Sequence, residues 1–131
     1  GPRFRNLCDQ SNTLGDLKQY PLAGLPASTM AHRFYENFFA SHGLPLHYDI
    51  ELASADLLLP VVIHNLGLAF LPVELAAQAL EQGQVFSIPL TEKIPIRHIC
   101  LVRHPGRPLG AASRRLMEML VSLQKKTNEE P

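Results

Sequence analysis

The chain has 131 residues, 46% hydrophobic and 18% charged, which suffices to bury one sizeable core or, at the limit, two very small lobes. Twelve Lys and Arg balance twelve Asp and Glu, so neither a phosphate backbone nor an anionic membrane is favoured as the main partner. The two cysteines, Cys8 and Cys100, lie too far apart in sequence to suggest a disulfide framework or a zinc knuckle, and a reducing cytoplasm fits them.

No apolar run approaches the roughly 20 residues of a membrane span, and no basic-then-apolar leader opens the chain. The charge is unevenly spread: five Lys and Arg face nine Asp and Glu up to Lys93, and seven face three from Ile94 onward. A solvated helix face carrying Arg114, Arg115, Lys125 and Lys126 accounts for the basic end more simply than a nucleic-acid patch does.

In chain order, Gly1-Pro2 reads as what a protease leaves after tag removal, and residues 1–13 are expected to be tag remnant and loop. A single helical turn follows around Leu14 and Leu17, stopped by Pro21. Residues 22–25 form a short buried strand in which Gly24 allows close backbone approach. Ser28 or Thr29 caps a helix running to about Ser41, with Met30, Phe34, Phe38 and Phe39 as its apolar face and Gly43 as its stop.

Residues 47–52 alternate in polarity and predict a strand with Tyr48, Ile50 and Leu52 on one side and Asp49 and Glu51 toward solvent. A helix begins at Ser54, and Pro60 within it predicts a kink or a late start. The nearly continuous apolar run 66–71, closed by Pro72, predicts a strand covered on both faces. A helix over 73–82 ends at Gly83, and residues 85–90 read as a strand in which Pro89 marks a sheet edge or the strand's end. After a connector come a strand over 96–102, a turn over 103–108, a final helix over 109–123, and a frayed end at 128–131. The alternation of strands and helices argues for an α/β fold with a mainly parallel sheet flanked by helices, its helix starts gathered along one edge.

Candidate chemistry is sparse. The helix starts at Ser28, Thr29 and Ser54 each offer a hydroxyl, free backbone amides and the positive end of a helix dipole, which suits a carboxylate or another anion; taken singly, each hydroxyl is more simply the cap of its own helix, and the anion reading gains weight because the sheet brings the starts to one edge. The six histidines lack the convergent spacing of a metal site, and no serine or cysteine sits in a nucleophile elbow. No catalytic residue, metal or cofactor is therefore expected.

Five stretches, in this order and spacing, resemble the effector-binding domain of LysR-type transcriptional regulators. They are Thr13-Leu-Gly-Asp-Leu-Lys-Gln-Tyr-Pro-Leu22, Ser54-Ala-Asp-Leu57, Asn65-Leu-Gly-Leu-Ala-Phe-Leu-Pro72, the strand 96–102, and the Pro108-Leu-Gly-Ala-Ala-Ser-Arg-Arg-Leu116 helix. The resemblance covers about residues 13–123 and implies a type 2 periplasmic-binding-protein-like fold: two α/β lobes joined by crossing strands, with a small effector between them. On that basis residues 14–91 would be the second lobe, complete, and 92–131 the return to part of the first, through a closing strand and the C-terminal helix. Effector contacts would fall on Ser28, Thr29 and Ser54, with Gly24, Phe70 and Pro72 as further wall.

The family's DNA-binding domain and the first part of the first lobe are not in this sequence, so DNA would be met only through them. The strand 96–102 would lack neighbours and invite self-association as a homodimer or higher oligomer. The expected function is effector sensing for a cytoplasmic regulator, by a domain that is not an enzyme and does not touch a membrane. A solute-binding receptor of the same fold is the alternative.

Overall fold

The computed structural model describes residues 1–97 and 100–129, and the chain divides into two units, residues 1–95 and 96–131. The first unit is built on three strands, β1 (Leu22–Gly24), β2 (Ile50–Glu51) and β3 (Leu68–Ala69), in the order β2-β1-β3. Both pairings are parallel, with Ala23 opposite Ile50 on one side and Ala69 on the other. Parallel neighbours require crossovers. Here α1 (Leu14–Leu17) precedes the sheet, α2 (Met30–Ser41) joins β1 to β2, and α3 (Leu58–Ile63) joins β2 to β3, with α4 (Val73–Glu81) following.

Local chemistry fixes the helix ends. The Thr29 hydroxyl accepts the His32 N–H at 3.2 Å and so caps α2. At the other end Gly43 takes φ +69° and the Leu44 N–H reaches back to the Phe39 carbonyl at 3.0 Å. The late start expected from Pro60 is what occurs: a 3-10 turn over Ala55–Leu57 comes first and α3 begins at Leu58. Pro60 then lies in the first turn, where no backbone donor is required of it. The same helix ends at Asn65, whose φ of +60° lets the Leu66 N–H bond the Val61 carbonyl at 3.1 Å.

Strand alternation divides the core in two. Leu22 and Leu68 pack with Phe4, Leu7, Leu14 and Phe39, while Ala69, with Val62, Ala79 and Val85, belongs to a second, smaller cluster. The buried face of α2 is Tyr35, Phe38 and Phe39, one residue round from the expected one, and Met30 is 75% exposed. The reason is Phe70, which stacks on Tyr35 at 4.8 Å between centroids and meets Phe39 edge-on at 5.9 Å, turning that side of the helix inward.

Several sequence expectations give way to tertiary context. Residues 1–13 are not merely loop: Pro2–Asp9 form a 3-10 helix that buries Phe4 and Leu7. The strand expected over 47–52 is only Ile50–Glu51, and the run 66–71 contributes only Leu68–Ala69, an edge strand with core packed on both its faces. Asp49 is exposed as expected, yet its carboxylate accepts the Leu22 N–H at 2.9 Å and so fixes the start of β1. Residues 85–90 form no strand. Their one ladder contact is a parallel bridge between Leu90 and Asn12.

That bridge belongs to a polar clasp. Asn12, 1% exposed, donates its amide to the carbonyls of Leu7, Gln10 and Pro89 at 2.7, 2.9 and 3.2 Å. The Thr91 N–H and hydroxyl both return to the Asn12 carbonyl, at 2.8 and 3.0 Å. Glu92 then accepts the Leu14 N–H at the start of α1 at 3.0 Å. Burial alone would raise the Glu92 carboxyl, but these donors outweigh it and hold the group below the usual carboxylate value.

In the second unit α5 (Ala111–Glu129) reaches past the expected end at 123 and makes residues 128 and 129 helical; residues 130 and 131 lie outside the described residues. Of the strand expected over 96–102, residues 98 and 99 also lie outside them, and 96, 97 and 100–102 form no strand. Ile96 and Val102 are 76% and 85% exposed, and neither pairs in a ladder among the described residues.

Candidate functional site

Because β2, β1 and β3 are parallel, their C-terminal ends share one edge of the sheet. Open parallel sheets bind ligands outside that edge. Gly24 ends β1 and Thr29 caps the helix that follows; Ser54 precedes the 3-10 turn after β2; Phe70 and Pro72 follow β3. The hydroxyls are not equally available. That of Thr29 caps α2 and also donates to the Pro26 carbonyl at 2.8 Å, whereas Ser28 is exposed. The Ser54 hydroxyl makes no cap bond; instead its bond to Asp56 holds that carboxyl below the usual range.

Gly24 is buried because an aromatic ring lies on it. A β-carbon there would fall within the ring of Tyr48. Tyr48 in turn meets His32 edge-on at 5.3 Å, and His32 Nδ1 lies 2.9 Å from the Leu25 carbonyl. Tyr48 and His32 thus complete the end of β1. The alternating pattern marks Tyr48 as inward-facing, but nothing local links it to a glycine 24 residues earlier.

Burial of Tyr48, with Tyr35 nearby, pushes its phenol up to about 12 from an ordinary 10.0. The proton is held more tightly in the folded state, so the stability this group contributes is full below pH 10 and is lost as pH rises through about 12. An ultraviolet pH titration should therefore show one phenol ionising near pH 12, a step that Tyr48→Phe removes.

A second feature lies along β3. A cavity of about 220 Å³ takes wall from Phe4, Leu68 and Phe70 of the larger core cluster and from Val62, Ala69 and Val85 of the smaller. Among the described residues Ser87 supplies the one polar side chain in its lining and no charged side chain reaches it; Gly1, whose amino group is held below its ordinary pKa by burial, is also part of the wall. Of the six residues singled out from sequence, Phe70 lines this cavity, while Ser28, Thr29, Ser54, Gly24 and Pro72 do not. Sequence reasoning missed the cavity, and the pattern carried no signal for it beyond an apolar run at 66–71.

Among the described residues no group of three or more His, Cys, Asp or Glu is placed to hold a metal ion, and no helix is long and apolar enough to cross a membrane. The chain matches a family model described as the LysR substrate binding domain over residues 4–125. No curated protein and no solved structure matches it.

Proposed function

Because the chain belongs to the LysR substrate binding domain family, and so is an effector-binding regulatory domain, we propose that it senses a small anion, a carboxylate above all, for a cytoplasmic transcription regulator. The observation that carries this reading is the shared edge of the three parallel strands, where Ser28, Thr29 and Ser54 follow strand ends. The twelve-residue α2 directs its free N-terminal amides and the positive end of its dipole to that edge, which favours a negative ligand. The exposed Ser28 hydroxyl supplies a donor, and the wall by Gly24, Phe70 and Pro72 shields one side of the ligand. A facing lobe would close over it. Binding would then favour the closed arrangement by its differential affinity and so alter how the dimeric parent sits on DNA.

The test is isothermal calorimetry with small carboxylates on the parent protein, paired with operator binding. At least one carboxylate should bind and change operator affinity, and Ser28→Ala should weaken that carboxylate roughly tenfold through loss of a charge-assisted hydrogen bond. If no carboxylate binds, or if binding leaves operator affinity unchanged, the reading fails.

A further inference from the structure

The cavity along β3 touches both core clusters, which lie on opposite faces of the sheet, so it must sit beyond the free edge of that strand. Its polar content follows from the ladder. The Leu68 N–H donates toward β1, to the Pro21 carbonyl at 2.8 Å. Parallel pairing turns the backbone groups of successive residues to opposite edges, so the Ala69 N–H and C=O face away from β1, on the side of the cavity that Ala69 lines. The Ala69 N–H and C=O, one donor and one acceptor pointing the same way, thus lie in a wall whose only polar side chain among the described residues is that of Ser87.

These features select a ligand. No lining side chain among the described residues carries charge, and burial lowers the pKa of the one ionisable group in the wall, the Gly1 amino group, below its ordinary 8.0, so above pH 8 an ionised ligand would lose its hydration without a counter-charge. The volume of about 220 Å³ exceeds the roughly 150 Å³ of a hydrocarbon-lined cavity that takes benzene, leaving room for a ring and one substituent. A substituent that both donates and accepts matches the Ala69 pair, and a primary carboxamide does so in a single plane.

We propose that this cavity is a binding site for a compact neutral molecule with an apolar ring or branched aliphatic body and one carboxamide-like group. It shares the Phe70 wall with the anion-binding edge but none of Ser28, Thr29 and Ser54, and it stands whether or not that edge binds carboxylates.

The experiment uses benzamide as the probe and benzoate, its anionic isostere, as the control, read by thermal shift and by backbone amide chemical shifts. Benzamide should raise the thermal midpoint saturably and move the Ala69 and Ser87 amide signals. At about pH 9, where the Gly1 amino group is uncharged, benzoate should bind at least roughly tenfold more weakly. Ala76→Leu, which fills the cavity from α4, should abolish the benzamide response while leaving Ser28→Ala without effect on it. Should Ala76→Leu fail to fold, Leu80→Ala widens the same cavity and should admit 2-naphthamide, which the unaltered protein excludes. No benzamide response, equal binding of benzoate, a response that survives in folded Ala76→Leu, or a Leu80→Ala protein that still rejects 2-naphthamide each overturns the site.

Discussion

Gly24→Ala is expected to lower the unfolding free energy by about 2–3 kcal/mol, the cost of forcing extra volume into a packed interior. The new β-carbon would enter the ring of Tyr48, and neither side can yield easily. Gly24 is paired to Glu51 in the central strand of the sheet, and Tyr48 is 8% exposed with its ring held edge-on against His32. If the ring is the obstacle, the cost should vanish once it is removed. In a Tyr48→Ala background the added methyl should be nearly neutral, a coupling of about 2 kcal/mol between the two positions. Urea denaturation of the four proteins in the cycle measures it. Additive losses would mean that the glycine matters for its backbone and not for the ring above it.

Asn12→Ala is expected to cost about 3 kcal/mol, since it strips one donor group from three carbonyls at once and leaves that of Leu7 buried without a partner. The loss should also loosen the contact between residue 12 and residues 89–91, because the Pro89 carbonyl accepts from both the side chain and the backbone of Asn12. Amide hydrogen exchange at Thr91 should therefore quicken more than exchange at Leu68, whose donor is committed to the sheet. Asn12→Asp is the sharper control: it keeps the shape but points carboxylate oxygens at carbonyls, so it should be at least as harmful at neutral pH and recover in acid. Equal exchange at the two amides in Asn12→Ala would rule out a clasp.

The devices that act within one helical turn were legible in the sequence. Thr29 before an apolar periodic run reads as a cap, Gly43 as a stop and Pro60 as a late start, because each acts through backbone geometry close to itself. The parallel α/β character was legible from the alternation of short apolar runs with helical ones. What was hidden depends on distant partners. Asn12 stands in Asp-Gln-Ser-Asn, a composition that belongs to loops, and it is buried only because Pro89 and Thr91 return to it from 77 and 79 residues away. The face of α2 was misjudged by one residue because Phe70 decides which aromatic rings turn inward.

The candidate site was legible in the same uneven way. Sequence order could place Thr29, Ser54 and Phe70 just beyond strand ends, and the parallel topology does the rest. It could not place Tyr48 over Gly24, nor reveal that the Thr29 hydroxyl also donates to Pro26 or that the Ser54 hydroxyl bonds Asp56 in place of capping. The cavity is a negative space bounded by segments from five parts of the chain, and no local pattern encodes such a space.

The hydrogen bond between Thr91 and Asn12 has an architectural consequence. It brings together two backbone points separated by 79 residues, so the polypeptide leaves and re-enters the sheet region through a single doorway. A segment whose ends meet can be spliced into a host loop, or permuted to begin elsewhere, without stretching either partner. Phe4 and Leu7, which precede this doorway, are buried in the same core, so a transplanted module must carry residues 1–11 with it.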